Sequence, residues 1–326
     1  MRALVVGGAG YIGSHVVFYL LKDNCEVLVL DNLSFGSESS IPKGADFVLG
    51  DIRNKEVLTR CMQNFKPEVV VHLAALKSVG KSIHEIAVYS DINITGTINL
   101  LNAMIAQNIP YFVFSSSAAV YGTPVYLPID EKHPTKPINY YGETKLIIEQ
   151  MLQWYSRAYP FYYSALRYFN ASGHEPASSF FAIEKNPENL IPILLETALG
   201  TRKDFTLFGD DYDTPDGSCI RDYIHVSDLA RAHLLSLHFL KEKKQSLTLN
   251  LGTGKGFSTR EAYESAVRVT KKDIPLTIGG RREGDPASMY ALSDRARNLL
   301  AWQPKYNNID DIILHSWKAY QRNFET

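Results

Sequence analysis

The first half of the chain alternates short runs of apolar residues with longer stretches in which apolar positions recur at helical spacing. The runs are rich in Val, Leu and Ile with little polar alternation, which is typical of strands buried on both faces of a sheet. The predicted strands are residues 3–6, 26–31, 45–51, 69–75 and 111–117, and the predicted helices are 11–22, 54–65, 95–107 and, later, 190–199. Because strands that alternate with helices indicate a parallel sheet, the pattern predicts an α/β fold with a doubly wound parallel sheet.

The second half of the chain is less regular. Residues 171–218 are rich in Pro, Asn, Asp and Gly. Residues 221–240 predict the end of a strand followed by a helix that is capped by Ser227 or Asp228. We expect this segment and a buried strand at 248–252 to return to the sheet.

The length of 326 residues is about right for two coupled domains. The first is predicted to cover residues 1–170 together with the returning segments at about 219–254. The second is a smaller, discontinuous α/β domain, built from residues 171–218 and 255–326, which we expect to bind the substrate.

Composition and charge narrow the function classes. The formal net charge is −1, so neither nucleic acid nor an acidic membrane surface is an expected partner. The three cysteines, Cys25, Cys61 and Cys219, show neither metal-ligand nor disulfide-framework spacing. No apolar run approaches the ~20 residues of a membrane span, and the N-terminus lacks a signal-peptide pattern. We therefore expect a cytoplasmic protein without a metal site.

Glycines follow the first predicted strand and open the first predicted helix. Gly7, Gly10 and Gly13 fit the pattern G-x-x-G-x-x-G, and Gly8 begins an overlapping G-x-G-x-x-G. Glycine lets the backbone turn sharply and approach a pyrophosphate, and a helix N-terminus presents free N–H groups to an anion. The segment therefore predicts a dinucleotide site. The alternative is a tight turn between strand and helix with no ligand.

A carboxylate sits where a dinucleotide site needs one. Asp31 ends the second predicted strand, 18 residues after Gly13. A carboxylate there accepts hydrogen bonds from the adenosine ribose and repels a 2′-phosphate, which favours NAD over NADP. Asp51 and Ile52 follow the third strand and are either contacts for the adenine edge or part of a plain turn.

Tyr141 and Lys145 lie four residues apart, on one face of a predicted helix. A tyrosine with its usual pKa of about 10 is a poor base at neutral pH. A nearby ammonium and a cationic nicotinamide would both favour the phenolate and lower that pKa. The pair therefore predicts a proton-transfer group, and the alternative is an exposed aromatic beside an exposed lysine.

Three serines, Ser115, Ser116 and Ser117, close the fifth predicted strand at the edge where doubly wound sheets bind ligands. The last precedes Tyr141 by 24 residues. We expect one of them to hydrogen-bond the substrate oxygen that Tyr141 contacts, although serines also simply end strands. His72, at the fourth strand, is predicted to be a structural hydrogen-bonding residue.

With these features in place, the chain resembles the UDP-glucose 4-epimerase family of the extended short-chain dehydrogenase/reductases. The resemblance covers nearly the whole chain, and its last three segments discriminate best. The segments are GGAGYIGSH (7–15), DNLSFG (31–36), GDIR (50–53), HLAALKSVGKS (72–82), FSSSAAVYG (114–122), YYGETKLIIEQ (140–150), LRYFNASG (166–173), FGDDYDTPDGSCIRDYIHVSDLA (208–230), NLGTG (250–254) and RREGDPASMYA (281–291). The resemblance implies a Rossmann fold, bound NAD and a homodimer packed through helices of the nucleotide-binding domain. It also implies interconversion of UDP-glucose and UDP-galactose by transient oxidation at carbon 4.

The resemblance further implies roles for individual residues. Tyr141 would be the acid and base on the 4-hydroxyl, Lys145 its pKa partner and a ribose ligand, and Ser117 the orienting hydroxyl. Besides Tyr141 and Lys145, the NAD site would be lined by Gly7, Gly10, Tyr11, Ile12, Gly13, Asp31, Asn32, Asp51, Ile52, Leu73, Ala74, Lys77, Asn93, Ser115 and Tyr168. Besides Ser117 and Tyr141, the UDP-sugar would be held by Asn170, Asn189, Arg221, Arg282 and Asp285.

Several residues leave the identity of the substrate undecided. Arginines suit a diphosphate, but Arg221 and Arg282 could instead form surface ion pairs with acids such as Asp222 and Asp285. The family often has a threonine where this chain has Ala119. The position that gates the carbon 2 substituent falls on Met289, which is intermediate in size and flexible. UDP-N-acetylhexosamines, a UDP-pentose and a UDP-uronate stay possible substrates. A dehydratase, which would need an Asp-Glu pair near the serines, and a non-catalytic NAD-binding protein are disfavoured alternatives.

Overall fold

The computed structural model describes residues 1–184, 187–282 and 284–324. Its first elements are β1 (Arg2–Val6), α1 (Tyr11–Lys22), β2 (Glu26–Asp31), β3 (Asp46–Leu49), α2 (Lys55–Phe65), β4 (Val69–His72), α3 (Val79–Ser82), α4 (Ile86–Tyr89), a π-helical segment (Ser90–Thr95), α5 (Gly96–Ala106), β5 (Tyr111–Ser115), α6 (Tyr140–Ala158) and β6 (Tyr162–Tyr168). They are followed by β7 (Asn170–Ser172), α7 (Leu190–Ala198), β8 (Phe205–Phe208), β9 (Ile220–Arg221), β10 (Tyr223–His225), α8 (Val226–Lys243), β11 (Leu247–Leu251), β12 (Phe257–Ser258), α9 (Thr259–Thr270), β13 (Leu276–Gly279), β14 (Ser288–Met289), α10 (Asp294–Leu300) and α11 (Ile309–Phe324).

Seven of these strands form one parallel sheet in the order β11–β6–β5–β4–β1–β2–β3. The predicted fold class is confirmed. Strand order reverses between β1 and β4, and the chain segments that follow these two strands diverge above the sheet. Parallel sheets of this kind bind ligands in the crevice at that reversal, outside the carboxyl ends of the strands.

Apolar side chains cover both faces of the sheet. Helices α1 and α8 pack on one face, with Val17 and Leu237 fully buried, and α2, α5 and α6 pack on the other, with Leu58 and Leu152 fully buried. A third apolar cluster joins α7, α9, α11 and β8 beyond the sheet. The helix α10 and Trp302 belong to the cluster of the first face. The division into two domains stays a prediction.

The sequence pattern missed the strand β6. Its segment, YYSALRY, interrupts the apolar run with Ser164 and Arg167, and both are buried in the structure. Arg167 is neutralised there by a carboxylate on α6, which a linear pattern cannot reveal. A buried charge whose partner lies in another element is the physical reason for the error.

The prediction for residues 221–240 was wrong in two details. The strand β10 does not join the large sheet but pairs with β7 in a separate two-stranded sheet. The helix α8 does return to the sheet, against β5 and β6. It is capped by neither Ser227 nor Asp228: the N-cap is His225, whose ring nitrogen Nδ1 accepts the Ser227 N–H at 3.1 Å. The strand β11 joins the sheet beside β6, as expected.

Within the described residues, no helix combines the length and the apolar character needed to span a membrane. The same part of the chain contains no group of three His, Cys, Asp or Glu side chains that could hold a metal ion.

Candidate functional site

The glycine turn between β1 and α1 lies at the reversal of strand order. Gly7 has a φ of +85°, and a Cβ added there would lie 2.5 Å from the Ala74 backbone nitrogen. A Cβ on Gly13 would lie 2.1 Å from the carbonyl oxygen of Gly7. These two glycines are therefore required by the packing of the turn itself.

Gly10 is different, because the nearest atom to an added Cβ is the Gly7 oxygen at 3.5 Å. The protein leaves space there, directly before the first turn of α1. No side chain caps this helix, so the N–H groups of Tyr11, Ile12 and Gly13 at its first turn have no intrahelical or side-chain partner. An open cradle beside an uncapped helix N-terminus suits the pyrophosphate of a dinucleotide.

The Tyr11 side chain points the other way. Its hydroxyl donates to the Gly173 carbonyl at 2.6 Å, and its burial raises its pKa well above the usual value. Tyr11 therefore ties the glycine turn to the segment that follows β7, and only its backbone faces the cradle.

Asp31 fixes the end of β2 beside the turn. Its two carboxylate oxygens accept the Ala9 N–H at 3.0 Å and the Leu33 N–H at 2.8 Å. Asn32 donates to Asp51 at 2.9 Å. Two carboxylates at this edge fit a ribose diol and disfavour a 2′-phosphate.

Arg53 is a residue of this edge that the sequence analysis did not single out. It pairs with Asp51 at 2.9 Å and holds the pKa of that carboxyl well below its usual range. Ile52 is buried and packs against Gly96, where a Cβ would lie 2.5 Å from its Cδ1. The GDIR segment is thus a rigid wall at this end of the site.

The segment after β4 forms the opposite wall. The N–H groups of Leu73 and Ala74 both donate to the Val6 carbonyl, at 2.8 and 3.1 Å. The Asn93 side chain is buried, and it accepts the Leu76 N–H at 2.8 Å and donates to the Leu76 carbonyl at 3.0 Å. Its amide is used inside the protein to hold this wall in place.

Lys77 and Asn189, which come from distant parts of the sequence, meet at one carboxylate. Lys77 forms an ion pair with Glu184, and Asn189 donates to the same side chain at 3.3 Å. Glu184 carried no signal in the sequence, because its contact with Lys77 joins positions that are 107 residues apart.

Tyr141 and Lys145 lie in the first turns of α6, beside the end of β5. Lys145 is buried, its Nζ donates to the Ser115 carbonyl at 2.8 Å, and it lies 5.8 Å from the centre of the Tyr141 ring. The helix begins here because Asn139 caps it, accepting the Gly142 N–H at 2.9 Å. The alternative of an exposed pair is wrong for the lysine.

The pKa of Tyr141 differs from the expectation, whereas Lys145 is a charged partner whose own pKa is shifted by burial. Burial lowers the pKa of Lys145 to about 7, and the charge of Glu149 opposes that change. We expected a lowered pKa for Tyr141, but in the protein alone burial raises it to about 12, outweighing the hydrogen bond with Ser117 that lowers it. The protein surroundings by themselves do not produce the phenolate.

The three serines take different roles. The Ser115 hydroxyl bonds to His233 at 2.9 Å, and the Ser116 hydroxyl donates to Glu149 at 2.5 Å. Ser117 is the one that lies next to Tyr141, and it also accepts the Ala119 N–H at 3.1 Å. The structure thus separates Ser117 from its neighbours.

Two further residues flank this group. His72 bonds to Thr97 at 2.9 Å, which agrees with a structural role, and burial lowers its pKa to about 3. Tyr168 ends β6, and burial raises its pKa far above the usual value.

Of the residues expected to hold the UDP-sugar, Arg221, Asp285 and Asn170 lie around β9. Arg221 forms an ion pair with Asp285, one of the two acids named as its alternative partners. The other, Asp222, is buried and accepts the Thr253 N–H at 2.9 Å. Asn170 donates to the Asp222 carbonyl at 3.1 Å.

Arg282 is exposed and lies 4.0 Å above the Phe208 ring, in a cation–π arrangement. Met289 pairs with Arg221 in the sheet register and packs against the apolar cluster that contains Ala118 and Phe169. The gate position therefore lies on the same side of the site as the serines.

Comparison with known proteins agrees with this geometry. The sequence model of the NAD dependent epimerase/dehydratase family matches residues 3–252. The UDP-glucose 4-epimerase of Halalkalibacterium halodurans is 46% identical over 323 residues, which cover 99% of this chain and 96% of that protein. The chain belongs to the UDP-glucose 4-epimerase family. It is therefore an NAD-dependent epimerase.

Solved structures extend the likeness to three dimensions. The UDP-glucose 4-epimerase of Brucella ovis in complex with NAD superposes on the epimerase with a TM-score of 0.95 at 43% identity, covering 98% of each chain. The enzyme of Bifidobacterium longum in complex with NAD⁺ and UDP gives a TM-score of 0.94 at 37% identity, covering 99% of each.

The open space at Gly10 makes a test of the cofactor site possible. The Gly10→Ala variant is expected to keep its stability, because the backbone there (φ −80°, ψ 173°) suits alanine and no atom clashes. Its affinity for NAD should fall at least about tenfold, a loss of about 1.4 kcal/mol, because the methyl group enters the cradle. Titration calorimetry on protein freed of dinucleotide measures this. Gly80→Ala, where an added Cβ meets nothing within 4 Å, is the matched control. Unchanged NAD affinity in Gly10→Ala would place the dinucleotide elsewhere.

Proposed function

We propose that this epimerase interconverts UDP-glucose and UDP-galactose with NAD held in the site throughout the cycle. The observation that carries the proposal is the grouping of Tyr141, Ser117 and the buried Lys145 at the carboxyl edge of the sheet, beside the open glycine turn. The names of the relatives, including the one crystallised with NAD⁺ and UDP, support the same substrate class.

Tyr141 takes the proton of the sugar's 4-hydroxyl and returns it to the same oxygen after the sugar has turned its other face to the cofactor. Ser117, which lies beside Tyr141, orients the 4-oxygen of the sugar. Lys145 contributes a positive charge below the phenol, and favours its ionised form. General acid–base catalysis of this kind contributes roughly 10²- to 10⁴-fold to a rate.

The residues around the cradle fit NAD. The N–H groups of Tyr11, Ile12 and Gly13 would bind the pyrophosphate, and Asp31 would bind the adenosine ribose. When bound, NAD supplies the acceptor for the hydride of carbon 4 and a positive charge that favours the Tyr141 phenolate. We also propose that the other residues named above as lining the NAD site by family resemblance contact the cofactor.

The UDP group is held by residues outside the large sheet. Arg221 and Arg282 would bind the diphosphate, and Asp285 a ribose diol, with Asn170 and Asn189 as further contacts. Binding requires the ion pair between Arg221 and Asp285 to rearrange. Firm contacts on UDP with few on the hexose let the 4-keto sugar turn and present its other face before reduction.

The substrate range depends on Met289. Its flexible side chain packs beside Ala118 at the edge of the site. We propose UDP-hexoses as the main substrates, with UDP-N-acetylhexosamines as possible further ones. A UDP-pentose or UDP-uronate epimerase is the alternative. The dehydratase alternative gains no support, because Ser116, Ser117 and Ala118 occupy the place of an acid–base pair.

One assay tests the proposal. The purified protein is mixed with UDP-galactose, UDP-N-acetylgalactosamine or UDP-xylose, without added NAD, and the products are resolved by chromatography. We expect UDP-galactose to be converted to UDP-glucose, because NAD stays bound between cycles. Turnover of the acetylated sugar as well would identify Met289 as an open gate. Conversion of UDP-xylose alone would contradict the proposal in favour of a pentose epimerase.

We also propose a homodimer and a cytoplasmic location. Exposed apolar side chains around α3, α4 and α6 support a self-association surface, among them Ile83, Ile86 and Trp154 with exposed fractions of 53%, 52% and 67%. The three cysteines are free, which suits a reducing compartment.

A further inference from the structure

A buried carboxylate lies directly behind the proposed proton-transfer group. Glu149 follows Tyr141 and Lys145 at four-residue spacing along α6, and only 3% of its side-chain surface is exposed. None of the roles proposed above uses it. Because burial of a carboxylate is costly unless it is paired and hydrogen-bonded, its contacts indicate what it does.

Glu149 holds the segment that ends β5. The Ser116 hydroxyl donates to its Oε1 at 2.5 Å. The residues on either side of Ser116 both lie against the proton-transfer group: the Ser115 carbonyl accepts from Lys145 at 2.8 Å, and Ser117 lies beside the Tyr141 hydroxyl. Glu149 is therefore attached to the middle one of three consecutive residues whose outer two position the catalytic pair.

Arg167 on β6 anchors the carboxylate from the other side. Its Nε donates to Oε1 of Glu149 at 2.9 Å and its Nη2 to Oε2 at 2.5 Å. Its Nη1 donates to the Tyr121 hydroxyl at 3.0 Å, which in turn donates to Asn250 on β11 at 2.6 Å. The carboxylate is thus fixed by Arg167 on β6 and by Ser116 directly after β5, and Tyr121 links Arg167 to β11.

Glu149 also supplies the negative charge that acts on Lys145. Its charge opposes the desolvation that lowers the pKa of the lysine to about 7. Without that charge, the ammonium would lose its proton at a lower pH. Other titratable or charged groups lie around Lys145 and Glu149, and each is either left unchanged or matched by its own single variant. They are Tyr141 on the same helix, His72 on β4, Arg167 and Tyr168 on β6, and His233 on α8.

We propose that Glu149 is a positioning residue for epimerisation: its carboxylate supplies the charge opposite Lys145 and, through Ser116, keeps Ser117 on Tyr141. The inference rests on the proposed function. It predicts two separable effects, one on the pH dependence of the rate and one on the orientation of the hydroxyl.

The test compares pH profiles of kcat for UDP-galactose. In Glu149→Gln, the alkaline limb should move to lower pH, because Lys145 deprotonates sooner. Each unit by which the lysine pKa falls lowers the charged fraction about tenfold on the alkaline side. KM for UDP-galactose should change little, since Glu149 does not touch the residues assigned to UDP. Ser116→Ala should lower kcat without moving the limb.

A double variant keeps the test decisive if Glu149→Gln fails to fold. Glu149→Gln with Arg167→Met removes both charges of the buried pair, so no uncompensated charge is left. A purely structural Glu149 would give this variant the same alkaline limb as Arg167→Met alone, whereas the proposal expects its limb to lie at lower pH than that of Arg167→Met. Glu264→Gln, an exposed carboxylate on α9, is the matched control and should match the wild type.

The possible outcomes separate the two proposals. A wild-type protein that does not convert UDP-galactose would overturn the proposed function. A wild-type protein that converts it, together with a folded Glu149 variant whose alkaline limb is unmoved, would overturn the role of Glu149 alone.

Discussion

Replacing Tyr141 by phenylalanine is expected to lower kcat for UDP-galactose about 10²- to 10⁴-fold, the usual size of a general acid–base contribution. The phenol oxygen is the atom that lies beside Ser117, and phenylalanine cannot take or return a proton there. The variant should still bind NAD, because the glycine turn does not contact the lost hydroxyl. Chromatography of sugar nucleotides measures turnover, and dinucleotide released by denaturation measures bound NAD.

Tyr155→Phe is the matched control for this experiment. Tyr155 lies on the same helix, and its hydroxyl donates to Asn102 at 2.7 Å, away from the site. Its loss should leave turnover unchanged. Full activity in Tyr141→Phe, with NAD bound, would remove the residue from the mechanism.

The Arg167→Met variant is expected to lose about 3–5 kcal/mol of unfolding free energy, as is usual when one partner of a buried ion pair is removed. Arg167 and Glu149 pair at 2.5 Å, with side-chain exposures of only 9% and 3%. Methionine fills part of the space but leaves the carboxylate buried without its counter-charge. Urea unfolding followed by circular dichroism measures the change.

Arg268→Met provides the comparison. Arg268 pairs with Asp310 at 2.6 Å, but the two side chains are 58% and 40% exposed. Water screens such a pair, so the loss should stay below about 1 kcal/mol. Equal losses in both variants would mean that burial does not set the strength of the Arg167 pair. Adding Glu149→Gln to Arg167→Met should restore part of the stability.

Features that depend on neighbours in the sequence could be predicted. The helix α1 and the strand β2 have the predicted bounds, and the glycine turn lies between β1 and α1 as expected. A Cβ on Gly13 would clash with the Gly7 backbone, and a Cβ on Gly7 would clash with the Ala74 backbone. Local turn geometry and apolar periodicity are sufficient for these parts.

Features that depend on partners distant in the sequence could not be predicted. β6 was missed because Arg167 is neutralised from α6, and the cap of α8 is a histidine, which is not a usual capping residue. Spacing alone gave three equivalent serines, and only the contacts of Ser115 and Ser116 with His233 and Glu149 set Ser117 apart. Glu184 reaches Lys77 across 107 positions of sequence.

The central claim is that the hydrogen removed from carbon 4 stays in the site and returns to the same carbon, while Tyr141 handles only the hydroxyl proton. The most direct test uses UDP-galactose that carries deuterium at carbon 4, with no added NAD, and locates the label by NMR and mass spectrometry. The account predicts that UDP-glucose keeps its deuterium at carbon 4 and that none appears in water. Exchange of the label with solvent would show that the carbon itself is deprotonated, and would contradict the mechanism.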